Sequence, residues 1–142
     1  MALDVLIVDD SPAMRSFIGR VLDLSGMEIG ERLEAGHGAE ALEILSRSWV
    51  DVILTDINMP VMNGEEMLRR VRGNPDTENL PVIVVSTEGS ETRLQNLQEL
   101  GATIVRKPFA PETLRDNILR VTGVTDVEYY GSVPVPGDDS DF

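Results

Sequence analysis

A (βα)5 fold of the α/β class, with a largely parallel five-stranded sheet, is predicted by three observations on this 142-residue chain. Five short apolar runs recur, each is followed by a stretch with apolar residues at helical spacing, and turn-forming residues separate the pairs. Strands that alternate with helices in this way pair in parallel through right-handed crossovers.

The first strand is Leu3 to Val8. Met14, Phe17, Ile18, Val21 and Leu22 then repeat at three- and four-residue spacing, which predicts helix one with that stripe buried; Ser11 suits its cap and Pro12 its first turn. A weaker second strand is placed at Glu28 to Glu34, and helix two is carried by Ala41, Leu42, Ile44 and Leu45. The third strand, Val50 to Leu54, is apolar almost throughout, as a strand covered on both faces requires. Asn63 is the expected cap of helix three, with Met67, Leu68 and Val71 on its apolar side. After the turn-rich "RGNPDTENLP" come a fourth strand, Val82 to Val85, and helix four with the stripe Leu94, Leu97 and Leu100. Ala102 to Val105 is the fifth strand, and Pro111 opens the last helix, whose apolar side is Leu114, Ile118 and Val121.

The domain is therefore expected at residues 1–122. From Gly123 onward "GVTDVEYYGSVPVPGDDSDF" holds five acidic residues and no basic ones, and 123–142 is expected to be a flexible acidic tail in which Tyr129 and Tyr130 are candidates for docking or packing. The formal charge of -13, from 25 acidic and 12 basic residues, repels nucleic acid phosphates and argues against direct nucleic acid binding. No apolar run is long enough to span a bilayer, and "MALDVLIVDD" has neither the charge order nor the length of a secretory signal. The chain has no cysteine, so thiol nucleophiles and disulfides are excluded; a cytoplasmic location is expected.

In parallel sheets of this kind the working crevice lies beyond the carboxyl ends of the strands. Asp9 and Asp10 follow strand one, Asp56 follows strand three, Ser86 and Thr87 follow strand four, and Lys107, the single lysine, follows strand five. Taken singly, Asp9 and Asp10 also suit a helix cap, Asp56 a solvated strand end and Lys107 a salt bridge, while Ser86 and Thr87 suit a turn. Their shared placement favours one site. Clustered carboxylates repel one another unless a cation relieves them, and hard oxygen ligands suit Mg2+. Such a site is equipped for attack by Asp56 on phosphorus to give an acyl phosphate, with Lys107 and Ser86 on the phosphoryl oxygens. A phosphate-binding "GxxxxGK" is missing, and acidic residues stand where a dinucleotide-binding fold needs glycines, so a flavodoxin-like cofactor protein or a nucleotide hydrolase is disfavoured.

The segments "VDDSPAMR", "TDINMPVMNG", "VVSTEG" and "RKPF", in order along Leu3 to Val121, resemble the response-regulator receiver domain of two-component signalling, of the single-domain, CheY-like class. The resemblance implies a doubly wound, flavodoxin-like sheet of strand order 2-1-3-4-5, with Asp56 as phosphoacceptor. It implies Mg2+ ligands Asp9, Asp10, Asp56 and the backbone carbonyl of Asn58, a switch hydroxyl at Ser86 and the invariant lysine at Lys107, followed by a cis bond to Pro108. By the same resemblance Asn58 and Glu88 tune dephosphorylation toward a short-lived signal. The donor would be a histidine kinase or a histidine phosphotransfer protein, approaching by helix one near Met14 and Arg15 and by Met59 and Met62. His37 is expected in a turn, outside that chemistry. A downstream target would bind helix four, strand five and helix five, including Arg93, Leu94, Ile104, Arg106, Phe109 and Arg115, in a phosphorelay such as chemotaxis. Catalysis would be confined to the chain's own phosphorylation and dephosphorylation. The sequence departs from the pattern at Ile104, where the family often carries an aromatic ring, so output movement is assigned to the backbone around Ser86 and Thr87. A phosphorylation-independent adaptor, a receiver cut from a longer regulator, a monomer and a phosphorylation-dependent dimer all stay open at this point.

Overall fold

The computed structural model describes residues 2–123. Ten elements alternate along it: β1 Leu3–Val8, α1 Pro12–Leu24, β2 Ile29–Ala35, α2 Gly38–Leu45, β3 Val52–Thr55, α3 Gly64–Arg72, β4 Val82–Ser86, α4 Glu91–Glu99, β5 Thr103–Arg106 and α5 Pro111–Thr122. The strands form one parallel sheet in the order β2-β1-β3-β4-β5. This is the expected doubly wound α/β, flavodoxin-like arrangement.

Side chains two apart on a strand share a face, and the core divides accordingly. Leu6, Val8, Ile53, Val82 and Val84 meet α2, α3 and α4 through Ala41, Ile44, Met67, Leu68, Val71, Leu94 and Leu97. Their neighbours Val5, Ile7, Val52, Leu54, Ile83 and Val85 meet α1 and α5 on the opposite face through Ile18, Leu22, Leu114 and Ile118. Central strands need apolar residues on both faces, which is why β1, β3 and β4 read as nearly continuous apolar runs. Strand β2 lies at an edge with Glu31, Arg32 and Glu34 exposed, so its sequence signal is faint.

Helix ends follow local chemistry. Ser11 Oγ accepts from the Met14 N–H (3.2 Å) and Asn63 Oδ1 from the Glu66 N–H (2.9 Å), each satisfying a donor with no partner inside the helix. His37 is more than a turn residue: its Nδ1 accepts from the Glu40 N–H and caps α2.

Several boundaries differ from expectation. Strand β3 begins at Val52 because Asp51 is engaged with Asp4, its N–H donating to the Asp4 carbonyl and its carboxylate accepting from the Asp4 N–H (both 2.8 Å). Strands β2 and β5 each lie one residue later than placed from sequence. Phe17, assigned to the buried stripe of α1, is 49% exposed and rests against the ring of Phe109. Gly123 ends α5 in the left-handed conformation, and the rest of the expected acidic tail, Tyr129 and Tyr130 included, lies outside the described residues. No helix among the described residues is long and apolar enough to cross a membrane.

Candidate functional site

Backbone pairing continues one residue beyond the strands and sets the site residues side by side. The Asp9 N–H donates to the Ala35 carbonyl, that of Asp56 to Val8 and that of Lys107 to Ser86, at 3.0, 3.0 and 2.9 Å. With Val8 paired to Thr55 and Ser86 to Arg106, the residue after each strand is delivered to the same end of the sheet. One carboxylate oxygen from each of Asp9, Asp10 and Asp56 lies within 4.8 Å of the other two.

Asp9 is buried, Asp56 half-buried and Asp10 exposed. Burial raises the Asp9 carboxyl above its ordinary pKa, and the charges of Asp56 and Asp10 add to the rise. The Ser11 N–H, which donates to Asp9 Oδ1 at 2.9 Å, and the positive charge of Lys107 oppose it. Arg15 donates to the Asp9 backbone carbonyl and to Glu34, so its contribution near the crevice is to hold the turn after β1. The bond between Lys107 and Pro108 is cis.

Three carboxylate oxygens at this spacing suit a divalent cation. Ligands about 2.1 Å from Mg2+ stand roughly 3 to 4 Å apart, a spacing compatible with oxygens that lie within 4.8 Å of one another. The donor set is all oxygen, the chemistry such an ion prefers.

The loop after Asp56 is tightly turned. Asp56 Oδ1 accepts from the Ile57 N–H at 2.7 Å, and the Met62 N–H reaches the Pro60 carbonyl, also at 2.7 Å, closing a γ-turn around Val61 at φ +67°. Gly64 lies so close beneath β3 that an added Cβ would overlap the Asp56 carbonyl oxygen. Met59 and Met62 turn inward onto the α2–α4 side of the core. Val61 is the strained member, a β-branched residue at positive φ with 81% of its surface exposed. Val61→Gly is therefore expected to stabilise the fold by about 1 kcal/mol, relief of strain exceeding the entropy cost of glycine, as urea unfolding would measure.

Across the crevice Ser86 is buried, and its Oγ accepts from the Glu88 N–H at 2.8 Å, whereas Thr87 points to solvent. Glu88 accepts from the Ser90 N–H (3.0 Å) through Oε2 and from Arg93 (2.8 Å) through Oε1. The same Arg93 nitrogen donates to Asn58 Oδ1 at 3.0 Å. The Ser90 N–H, then Arg93, then Asn58 hold the Glu88 carboxyl below its ordinary pKa. Sequence reading placed Asn58 and Glu88 near the acceptor but assigned Arg93 to the outer surface; the signal it missed is a cation in the first turn of α4, within reach of both.

The remaining expected output residues are divided between the two faces of the sheet. Ile104 packs toward the α2–α4 side, and Arg106 is exposed, 3.5 Å from Glu91. Phe109 instead packs on the α1–α5 side, its ring centre 6.1 Å from that of Phe17. Arg115 lies in α5, paired with Asp116.

The family model for the response regulator receiver domain matches residues 5–119. The chain belongs to the response-regulator receiver family. Among curated relatives, the chemotaxis protein CheY homolog of Campylobacter jejuni is 37% identical over 123 residues, covering 85% of this chain and 93% of the relative. Chemotaxis protein CheY1 of Helicobacter pylori is 36% identical over 126 residues, covering 87% of this chain and all of the relative. The solved structure of the chemotaxis protein CheY4 of Vibrio cholerae is 37% identical, matches with a TM-score of 0.75, and covers 85% of this chain and 99% of that one. As a receiver domain of the CheY-like class, the protein serves phosphorelay signalling, between a histidine kinase or phosphotransfer donor and a downstream target. Receiver domains are not enzymes in the ordinary sense; they catalyse their own phosphorylation and dephosphorylation. The acidic cluster of this receiver is able to chelate a divalent metal.

Proposed function

We propose that Asp56 accepts a phosphoryl group from a phosphohistidine on the donor protein, in the cytoplasm, with residues 1–122 acting as the receiver. The reading is carried by the convergence of Asp9, Asp10 and Asp56 within 4.8 Å, with the charge of Lys107 acting on the same cluster. An Asp56 carboxylate oxygen attacks phosphorus as the P–N bond of the donor breaks, and the electron pair of that bond leaves with the imidazole. Asp9, Asp10, Asp56 and the backbone carbonyl of Asn58 would hold Mg2+, which when bound supplies positive charge to offset the carboxylates and the incoming phosphoryl oxygens.

Lys107 pairs with one phosphoryl oxygen and the Ser86 hydroxyl donates a hydrogen bond to another. Asn58 and Glu88 border the approach to the acyl phosphate and tune the rate at which water removes it, and exposed Thr87 moves with the same loop. The added charge draws Ser86 inward and shifts α4 and β5, a redistribution between two arrangements of one fold. Arg106 and the flank of Ile104 then change the surface offered to a target; Phe109 contributes through its packing against Phe17. The names of the curated relatives support a target in chemotaxis or motility.

Acetyl phosphate with Mg2+ is expected to add one phosphoryl group to the intact chain, detected by mass spectrometry. Asp56→Asn and chelation by EDTA are each expected to abolish the gain. No gain in the wild type, under conditions that modify a control receiver, would establish the adaptor reading instead.

A further inference from the structure

Arg93 ties together three segments that meet beside the acceptor. Through one nitrogen it donates to Asn58, two residues past Asp56, and to Glu88, two residues past Ser86, while its own backbone lies in the first turn of α4. The ion pair is sheltered, with the Arg93 and Glu88 side chains 33% and 16% exposed, so water screens it less than a fully exposed pair. Glu88 is held at three points: Oε1 by Arg93, Oε2 by the Ser90 N–H, and its own N–H by Ser86 Oγ. A loop fastened this way resists displacement at Ser86.

We propose that Arg93 is a positioning residue, a latch that fixes the loop between β4 and α4 to the segment after Asp56 and thereby sets the threshold for switching. The proposal rests on Asp56 being the phosphoacceptor. For Ser86 to approach a phosphoryl group on Asp56, the segment from Ser86 to Glu88 has to advance, and the clamp on Glu88 opposes that step. Arg93 acts through Asn58 and Glu88 and not on the reacting atoms. Because its guanidinium is carried by α4, release of the clamp also frees the start of the helix whose movement carries the output. Interactions made in one of two arrangements lower the affinity of any ligand that prefers the other, by the free energy they contribute.

Beryllofluoride with Mg2+, titrated into the full chain and followed by amide chemical shifts, measures that threshold. Arg93→Ala is expected to bind beryllofluoride about 5-fold more tightly than the wild type, on the scale of a partly sheltered ion pair with one added hydrogen bond. Arg93→Lys, which keeps the charge but carries it on a shorter-reaching ammonium in place of the guanidinium nitrogen that meets both acceptors, is expected to fall between them. In the untreated, metal-free chain the Glu88 amide is expected to exchange with solvent roughly fivefold faster in Arg93→Ala. Thermal unfolding is the control that both variants are folded. Equal or weaker beryllofluoride binding by Arg93→Ala, with a normal wild-type response, overturns the latch and leaves the phosphoacceptor intact; no response in the wild type overturns both.

Discussion

Asp9→Asn is expected to make the metal-free protein more stable and, at the same time, to abolish stabilisation by Mg2+ and cripple phosphoryl uptake. The buried Asp9 carboxylate stands within 4.8 Å of two others and is only partly compensated by the Ser11 N–H and Lys107. Its pKa is raised in the folded chain relative to the unfolded one. The stability this group contributes is therefore fully present below the unfolded pKa and lost as pH rises through the folded value. The amide removes the charge while its oxygen still accepts from Ser11. Two like charges about 4 Å apart repel by about 1 kcal/mol even at the dielectric of water, and relief of that size corresponds to a rise of roughly 3 to 6 °C in midpoint for a domain of this length. Thermal unfolding with and without Mg2+ reads both halves of the prediction. A variant less stable than the wild type in EDTA would show that Asp9 is held by its hydrogen bonds more than it is opposed by its neighbours.

Arg72→Ala is expected to cost about 3 kcal/mol, a large share of the roughly 5–15 kcal/mol that holds an ordinary domain together. The guanidinium of Arg72, at the end of α3, donates to the carbonyls of Leu100, Glu78 and Leu80 at 2.6, 3.0 and 2.7 Å. It thus joins the end of α4 to the connection between α3 and β4, supplying a positive charge where helix carbonyls are left without partners. Burial lowers its pKa, yet arginine stays charged at neutral pH. Truncation would leave the partly buried carbonyls of Leu80 and Leu100 short of a donor. Arg72→Lys cannot serve three acceptors with the same planar fork and is expected to lose about half as much. Urea unfolding measures both. Since Arg72 lies far from the acidic cluster along α3, phosphoryl uptake by the folded fraction is expected to persist; its loss would show that α4 must be anchored at both ends for the chemistry.

The fold was legible because buried parallel strands must be apolar on both faces. Val5 to Val8, Val52 to Leu54 and Val82 to Val85 therefore announced the sheet, and Leu114 and Ile118 announced its last helix. The edge strand β2 was faint for the same reason in reverse, since water on its flank permits Glu31, Arg32 and Glu34. Phe17 was misplaced because spacing identifies the side of a helix but not the extent of what covers it; here the ring of Phe109 rests against Phe17 and leaves about half of it exposed. At the site, Asp9, Asp10, Asp56 and Lys107 were recognisable because each follows an apolar run, and topology gathers strand ends at one place.

What the sequence alone determined is the (βα)5 order, and with it the end of the sheet at which carboxylates and an ammonium group assemble, because hydrophobic periodicity and strand termination are local properties of the chain. What only the tertiary structure decided is how those groups and their neighbours are shared out: Arg93 between Asn58 and Glu88, Arg72 among three carbonyls, Phe109 on the face away from α4. A long side chain takes its partners from whatever backbone and polar atoms the packed fold brings within about 3 Å, and no spacing along the sequence contains that information.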